Sequence, residues 1–171
     1  MSSQTIILNL CSERLHYFEF VQPIEDILAK NGKQFKTIHY KKLTQNDLDK
    51  SDRVIICGTS LKDFGYAKAE DKKYFGWLKF YKNPVLGICA GMQILVEFHH
   101  GELKSEKIPS IGLQKIEFVK EFLGIKKNVK IQAYQLHQSA IEKAGNQFEI
   151  CALTNKNEIQ AIKHKESPFY G

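Results

Sequence analysis

A cysteine flanked by two glycines stands at the centre of the run Pro84-Val85-Leu86-Gly87-Ile88-Cys89-Ala90-Gly91-Met92-Gln93-Ile94-Leu95. Gly-x-Cys-x-Gly is the thiol form of a nucleophile elbow, in which the reactive residue sits in a strained turn and glycines let a strand and a helix approach closely. A thiol there faces the free N–H groups of a helix N-terminus, which favour the thiolate. By residue type alone Cys89 could equally be a small buried hydrophobe. Acyl transfer at such a thiol also needs N–H donors for the oxyanion and a base. The Ala90 N–H is the natural first donor. A backbone N–H of the loop Gly58-Thr59-Ser60 is the second, the alternative being a plain β-to-α turn.

Six histidines could act as base: His16, His39, His99, His100, His137 and His164. His99 and His100 end the elbow helix and read as C-terminal cations. His39 on an early strand and His164 near the end of a late one read as surface or packed residues. His137 follows the apolar run Val129–Tyr134, with no carboxylate beside it in the sequence. Residue types therefore give a nucleophile without a secure base.

The elements that must position Cys89 follow from the hydrophobic pattern. Thr5–Leu10 is β-branched and apolar without alternation, as in a strand buried on both faces of a parallel sheet. Tyr17, Phe20, Val21, Ile24, Ile27 and Leu28 recur at helical spacing, and Pro23 places the helix start near Glu19 or later. Gln34–Tyr40 and Arg53–Cys57 read as strands, with a capped turn at Thr44, Asn46 and Asp47 between them. Ala67–Lys82 reads as a helix with Tyr74, Trp77, Leu78 and Tyr81 on one face. This order predicts an α/β doubly wound, mostly parallel sheet. The second half has short apolar runs at Leu113–Val119, Val129–Tyr134, Phe148–Leu153 and Glu158–Lys163, which predict added antiparallel or mixed strands.

The chain has 171 residues, 43% of them hydrophobic, and a formal charge of +6. That length predicts one domain over residues 1–171. The positive excess is almost all lysine, with arginine only at Arg14 and Arg53, which argues against a phosphate-reading surface and hence against nucleic acid as a partner. Cys11, Cys57, Cys89 and Cys151 show no C-x-x-C spacing. They predict neither a disulfide frame nor a zinc site, and they fit a reducing cytoplasm. The apolar run near the N-terminus is too short for a signal peptide or membrane span.

These residues carry a family resemblance. Pro84–Leu95 resembles the nucleophile segment of class I (triad) glutamine amidotransferases, whose usual form is P-I/V-L-G-I/V-C-x-G-M/H-Q. Ala133–Ile141 is similar to A-W-x-S-H-x-D-x-V of the GMP synthase amidotransferase subunits, which puts His137 on their histidine. Ile159–Gly171 is similar to the run leading into the family's G-V-Q-F-H-P-E. The resemblance covers essentially the whole chain. It implies a flavodoxin-like fold, no cofactor, and hydrolysis of the glutamine side-chain amide through a γ-glutamyl thioester. It further implies delivery of ammonia to an ATP-dependent synthase subunit or domain, GMP synthase being the nearest case. Cys89 would attack the amide, while Ala90 N–H and the Gly58 loop hold the oxyanion. Gln93, otherwise a helix-capping or exposed residue, would contact bound glutamine, and the backbone at Leu136 and His137 would hold its α-amino and carboxylate groups.

Three departures qualify the resemblance. Cys57-Gly58-Thr59-Ser60 stands where the family usually has S-G-G-P. Leu136 and Ser139 replace a serine and an aspartate. The chain stops at Gly171, where the family's catalytic histidine and glutamate would follow, so a truncated C-terminus and an inactive or nearly inactive chain are expected; a missing base typically costs a factor of ~10² to 10⁴. The competing readings are a non-catalytic binding module of the same fold and another cysteine-dependent γ-glutamyl hydrolase.

Overall fold

The computed structural model describes residues 4–171, which form two compact units divided between Ile94 and Leu95. In the first unit, β1 (Gln4–Asn9) pairs in parallel with β2 (Gln34–His39) on one side and β3 (Arg53–Ile56) on the other; β3 pairs in parallel with β4 (Val85–Gly87). The order is β2-β1-β3-β4. Thr5–Leu8 in β1 are at most 3% exposed, as the unbroken apolar run predicts for a central parallel strand.

The expected first helix is two. α1 (Arg14–Phe20) precedes α2 (Gln22–Lys30), with a break at Val21 and Pro23 in the first turn of α2. A proline there removes an N–H that has no intrahelical partner anyway, so the kink lies where the pattern tolerates it. Tyr17, Phe20, Ile24 and Leu28 pack on Ile7, Cys11, Val21 and Cys57. The short α3 (Gln45–Asp49) starts with a reciprocal capping box between Thr44 and Asp47, as the turn residues predict.

Ala67–Lys82 is not an α-helix. It folds as 3₁₀ turns at Gly65–Ala67 and Ala69–Lys79. Phe75, Leu78 and Tyr81 are buried, and a buried residue at every third position fits three residues per turn better than 3.6. Gly76 within the run weakens the α alternative further. Asp71 fastens the segment by accepting from Tyr40 Oη at 2.6 Å and Lys41 Nζ at 2.8 Å.

α4 (Ala90–Phe98) follows β4 and contains the boundary between the units. The second unit is antiparallel, in the order β9-β8-β7-β5-β6, with β5 (Glu102–Phe118), β6 (Lys130–Lys143), β7 (Phe148–Thr154), β8 (Ile159–His164) and β9 (Phe169–Tyr170). β5 and β6 are 17 and 14 residues long, much longer than their apolar runs predict. The portions outside those runs carry Lys104, Glu106, Lys107 and Pro109 on one strand and Gln138 and Ser139 on the other. A register shift between Ser105 and Ser110 accommodates Pro109, which cannot donate to a regular ladder. Ile116, Phe118, Cys151, Ala152 and Ala161 form the core of this unit, packed by Phe122, Ile125 and Ala133.

Candidate active site

Three strands of the first unit end in step. Leu8 of β1 is level with Ile56 of β3, and Ile56 with Gly87 of β4. Parallel strands in register deliver their following loops to one edge, so the chain leaves the sheet there at Asn9–Ser12, Cys57–Asp63 and Ile88–Cys89. Ligands in open α/β sheets bind beyond this carboxyl edge.

The elbow has the predicted geometry. The Ile88 N–H donates to Ile56 O at 2.9 Å, and Cys89 takes φ +52°, a left-handed conformation that is costly for a residue with a side chain. A Cβ on Gly87 would lie 2.5 Å from the Gly91 carbonyl carbon, and one on Gly91 would lie 2.3 Å from Ile56 O. Both glycines are thus demanded by the close approach of β4, α4 and β3.

Cys89 is half-buried. Burial pushes its thiol above the ordinary value, and a hydrogen bond from the Ala90 N–H offsets this only in part. This runs against the expectation of a favoured thiolate, because desolvation outweighs the donor. The same Ala90 N–H is in place beside the sulfur for an oxyanion. Gly58 lies on the other side, since a Cβ there would be 3.3 Å from the Cys89 Cβ.

The Gly58 loop is tied down by side chains that sequence reasoning does not single out. The Cys57 N–H donates to Leu8 O at 3.1 Å, and the Asp63 N–H to Ser60 O at 3.0 Å. Asp63 Oδ2 accepts from the Ser12 N–H at 2.7 Å and Thr59 Oγ1 at 3.1 Å, and it lies 3.3 Å from His16 Nδ1. Asp63 Oδ1 accepts from Ser12 Oγ at 2.9 Å. Burial alone would raise the Asp63 carboxyl, but the donors from Ser12, His16 and Thr59 outweigh it and hold the group below its usual value. Cys11 Sγ approaches Gly58 O at 3.9 Å and receives Thr59 Oγ1 at 3.5 Å.

Gln93 is 8% exposed, so it is not an exposed residue. Its N–H donates to Cys89 O at 3.1 Å, and its Oε1 accepts from Tyr66 Oη at 3.3 Å. Cys89, Ala90, Gly58 and Gln93 therefore come together in the first unit. Leu136 and His137 belong to the second unit, within β6, opposite Ile111 and Ser110. His137 lies inside the strand rather than just past it, because the ladder continues through the polar residues where the apolar run stops. Its Nε2 is 3.3 Å from Gln135 Oε1, while Nδ1 is buried without a hydrogen-bond partner.

His16, His39, His99 and His164 have partners of their own. His16 faces Asp63, and His39 Nδ1 accepts from the Lys41 N–H at 3.4 Å. His164 Nδ1 accepts from the N–H groups of Glu166 and Ser167 at 3.1 and 2.9 Å. His99 is not the C-terminal cation expected: burial lowers its pKa, it bonds to Gln147, and it packs against Phe98, Phe148, His164 and Phe169. His100 is exposed at the helix end with φ +62°. Among the described residues, no three histidine, cysteine or acidic side chains are placed to hold a metal ion.

The fold and the elbow sequence both have counterparts. Over 92 residues the chain is 40% identical to a glutamine-hydrolysing GMP synthase subunit of Methanococcus aeolicus, an alignment covering 53% of this chain and 48% of that one. The match thus spans about half the length of such curated relatives. A crystal structure of a protein described as a GMP synthase subunit, from Thermoplasma acidophilum, superposes with a TM-score of 0.82 at 18% identity, covering 99% of this chain and 82% of that one. A glutamine amidotransferase of Thermotoga maritima gives a TM-score of 0.76 at 18% identity, covering 100% and 74%. At such identities the superpositions show a shared fold. Residues 15–171 match the family model for class-I glutamine amidotransferases, and with that match spanning most of its length the chain belongs to this family.

Proposed function

We propose that the protein is the glutaminase component of an amidotransferase, most like that of GMP synthase, read as one amidotransferase-like domain over residues 1–171. Cys89 Sγ attacks the side-chain amide carbon of glutamine. The thiol proton passes through a base to the departing nitrogen, ammonia leaves, and water cleaves the γ-glutamyl thioester to glutamate and the free thiol. Ala90 N–H and the Gly58 loop stabilise the oxyanion of both tetrahedral intermediates. Gln93 contacts the bound glutamine. The ammonia goes to an ATP-dependent synthase subunit or domain in the cytoplasm. Among the described residues, no helix is long and apolar enough to cross a membrane.

The observation that carries this reading is the strained Cys89 backbone with the Ala90 N–H and Gly58 on either side of it. The raised Cys89 thiol, together with the engagement of His16, His39, His99 and His164 by other partners, favours slow glutamine hydrolysis by the chain alone. The test is ammonia release from glutamine by the complete gene product with its synthase. Cys89→Ala abolishes release if the reading holds, and an unchanged rate in that variant overturns it.

A second reading, a binding module without turnover, is favoured by the raised Cys89 thiol together with the Thr59-Ser60 departure in the oxyanion loop. It expects Cys89→Ala to bind the synthase as tightly as wild type and wild type to release no ammonia.

A further inference from the structure

Asp63 is a carboxylate 4% exposed to solvent, on which groups from three separate stretches of chain converge. Ser12, in the loop after β1, gives it both its N–H and its hydroxyl, at 2.7 and 2.9 Å. His16 reaches it from α1 at 3.3 Å, and Thr59, in the loop after β3, gives its hydroxyl at 3.1 Å. Hydrogen bonds to a charged, buried acceptor are about twice as strong as neutral ones, so this is a firm cross-link between loops. Its own N–H closes a turn onto Ser60 O at 3.0 Å. The segment Thr59–Asp63 is therefore held at both ends by one residue.

The cross-link sits one residue away from the glycine that faces Cys89. The segment Thr59-Ser60-Leu61-Lys62-Asp63 has no proline ring to fix its backbone. Here a side-chain network supplies the order instead. Removing Asp63 would leave the Ser12 hydroxyl without its acceptor and the Thr59 hydroxyl with only the Cys11 sulfur, freeing the loop to drift, and a displacement of about 1 Å at a reacting centre can cost on the order of 10²-fold.

We infer that Asp63 is a positioning residue, which by gripping Thr59 and Ser12 holds the Gly58 loop against Cys89 in the geometry an oxyanion requires. This rests on the proposed acyl-transfer chemistry at Cys89. It names a determinant of that chemistry that touches neither the substrate nor the Cys89 sulfur.

The experiment compares two reagents on the complete protein. A chloroketone analogue of glutamine alkylates Cys89 with its carbonyl oxygen seated where the oxyanion would form, whereas iodoacetamide alkylates the thiol without occupying that position. Asp63→Asn and Thr59→Val each slow the chloroketone reaction roughly 10- to 100-fold and leave the iodoacetamide rate within about twofold. Thr59→Ser, which keeps the hydroxyl, recovers most of the rate lost in Thr59→Val. Amide hydrogen exchange in the peptide spanning 57–64 rises in the two slow variants. Equal slowing with both reagents marks Asp63 as a general stability residue and overturns the inference, as does unchanged exchange in that peptide. If wild type reacts with iodoacetamide and not with the chloroketone, the acyl-transfer reading fails and the oxyanion role falls with it; raised exchange in Asp63→Asn then identifies Asp63 as a loop cross-link only.

Discussion

Gly58 and Cys89 face each other across the carboxyl edge of the parallel strands, so close that a methyl group on Gly58 would sit 3.3 Å from the Cys89 Cβ. The loop after β3 and the elbow after β4 are one structural unit. Gly58→Ala forces one of them back by a few tenths of an ångström, and it acts on geometry more than on stability. The expected result is a roughly tenfold slower reaction of Cys89 with a glutamine-like electrophile, with an unfolding midpoint close to wild type. Stopped reactions followed by peptide mass spectrometry measure the first, and thermal denaturation the second.

Gly91 answers to a different constraint. Its missing side chain makes room for the Ile56 carbonyl, which a Cβ would approach to 2.3 Å. Gly91→Ala must separate α4 from β3 and is expected to destabilise by about 3 kcal/mol, the upper range for overpacking a tight site. A Cβ on Gly76 would meet nothing within 4 Å, and Gly76→Ala is expected to be neutral or slightly stabilising. Urea denaturation of the two variants side by side separates the effects.

The second unit carries a pH dependence of defined sign. His99 is lowered by burial and then by the charge of His100, with the Gln147 hydrogen bond opposing. His164 is lowered by burial and by His99, with Glu166 opposing. Their rings lie 4.7 Å apart at the centroids, among Phe148 and Phe169. A histidine whose folded pKa lies below its unfolded value favours folding in its neutral form. That contribution is complete above the unfolded value of 6.5 and is lost as pH falls through the folded values. Protonating His164 also removes the acceptor for the Glu166 and Ser167 N–H groups. The denaturation midpoint is expected to drop on acidification below pH 6.5, and His164→Gln to flatten that drop. A midpoint independent of pH across this range would contradict the assignment.

The elbow is legible in the sequence because its constraints are local: two glycines, one cysteine, and an apolar strand and helix on either side. The parallel strands β1, β3 and β4 are legible for the same reason, each being a compact apolar run. The long hairpin of β5 and β6 is not, since half of each strand is polar and Pro109 interrupts the pattern where the ladder itself shifts register. The 3₁₀ segment reads as an α-helix because aromatic residues spaced by three and four fit both periods. Asp63 is invisible in the sequence as part of the site. Its partners Ser12 and His16 lie 51 and 47 residues away along the chain, and only the in-step ends of β1 and β3 bring them together.

Labelling tests most directly whether Cys89 is the nucleophile of a glutamine site. The complete protein is treated with a glutamine chloroketone, with and without excess glutamine, and the adduct is mapped by mass spectrometry. A single adduct is expected at Cys89, in preference to Cys11, Cys57 and Cys151, all of which are buried, and glutamine is expected to protect that adduct. Labelling at Cys89 that glutamine does not slow, or no labelling while iodoacetamide modifies the same thiol, would contradict that role.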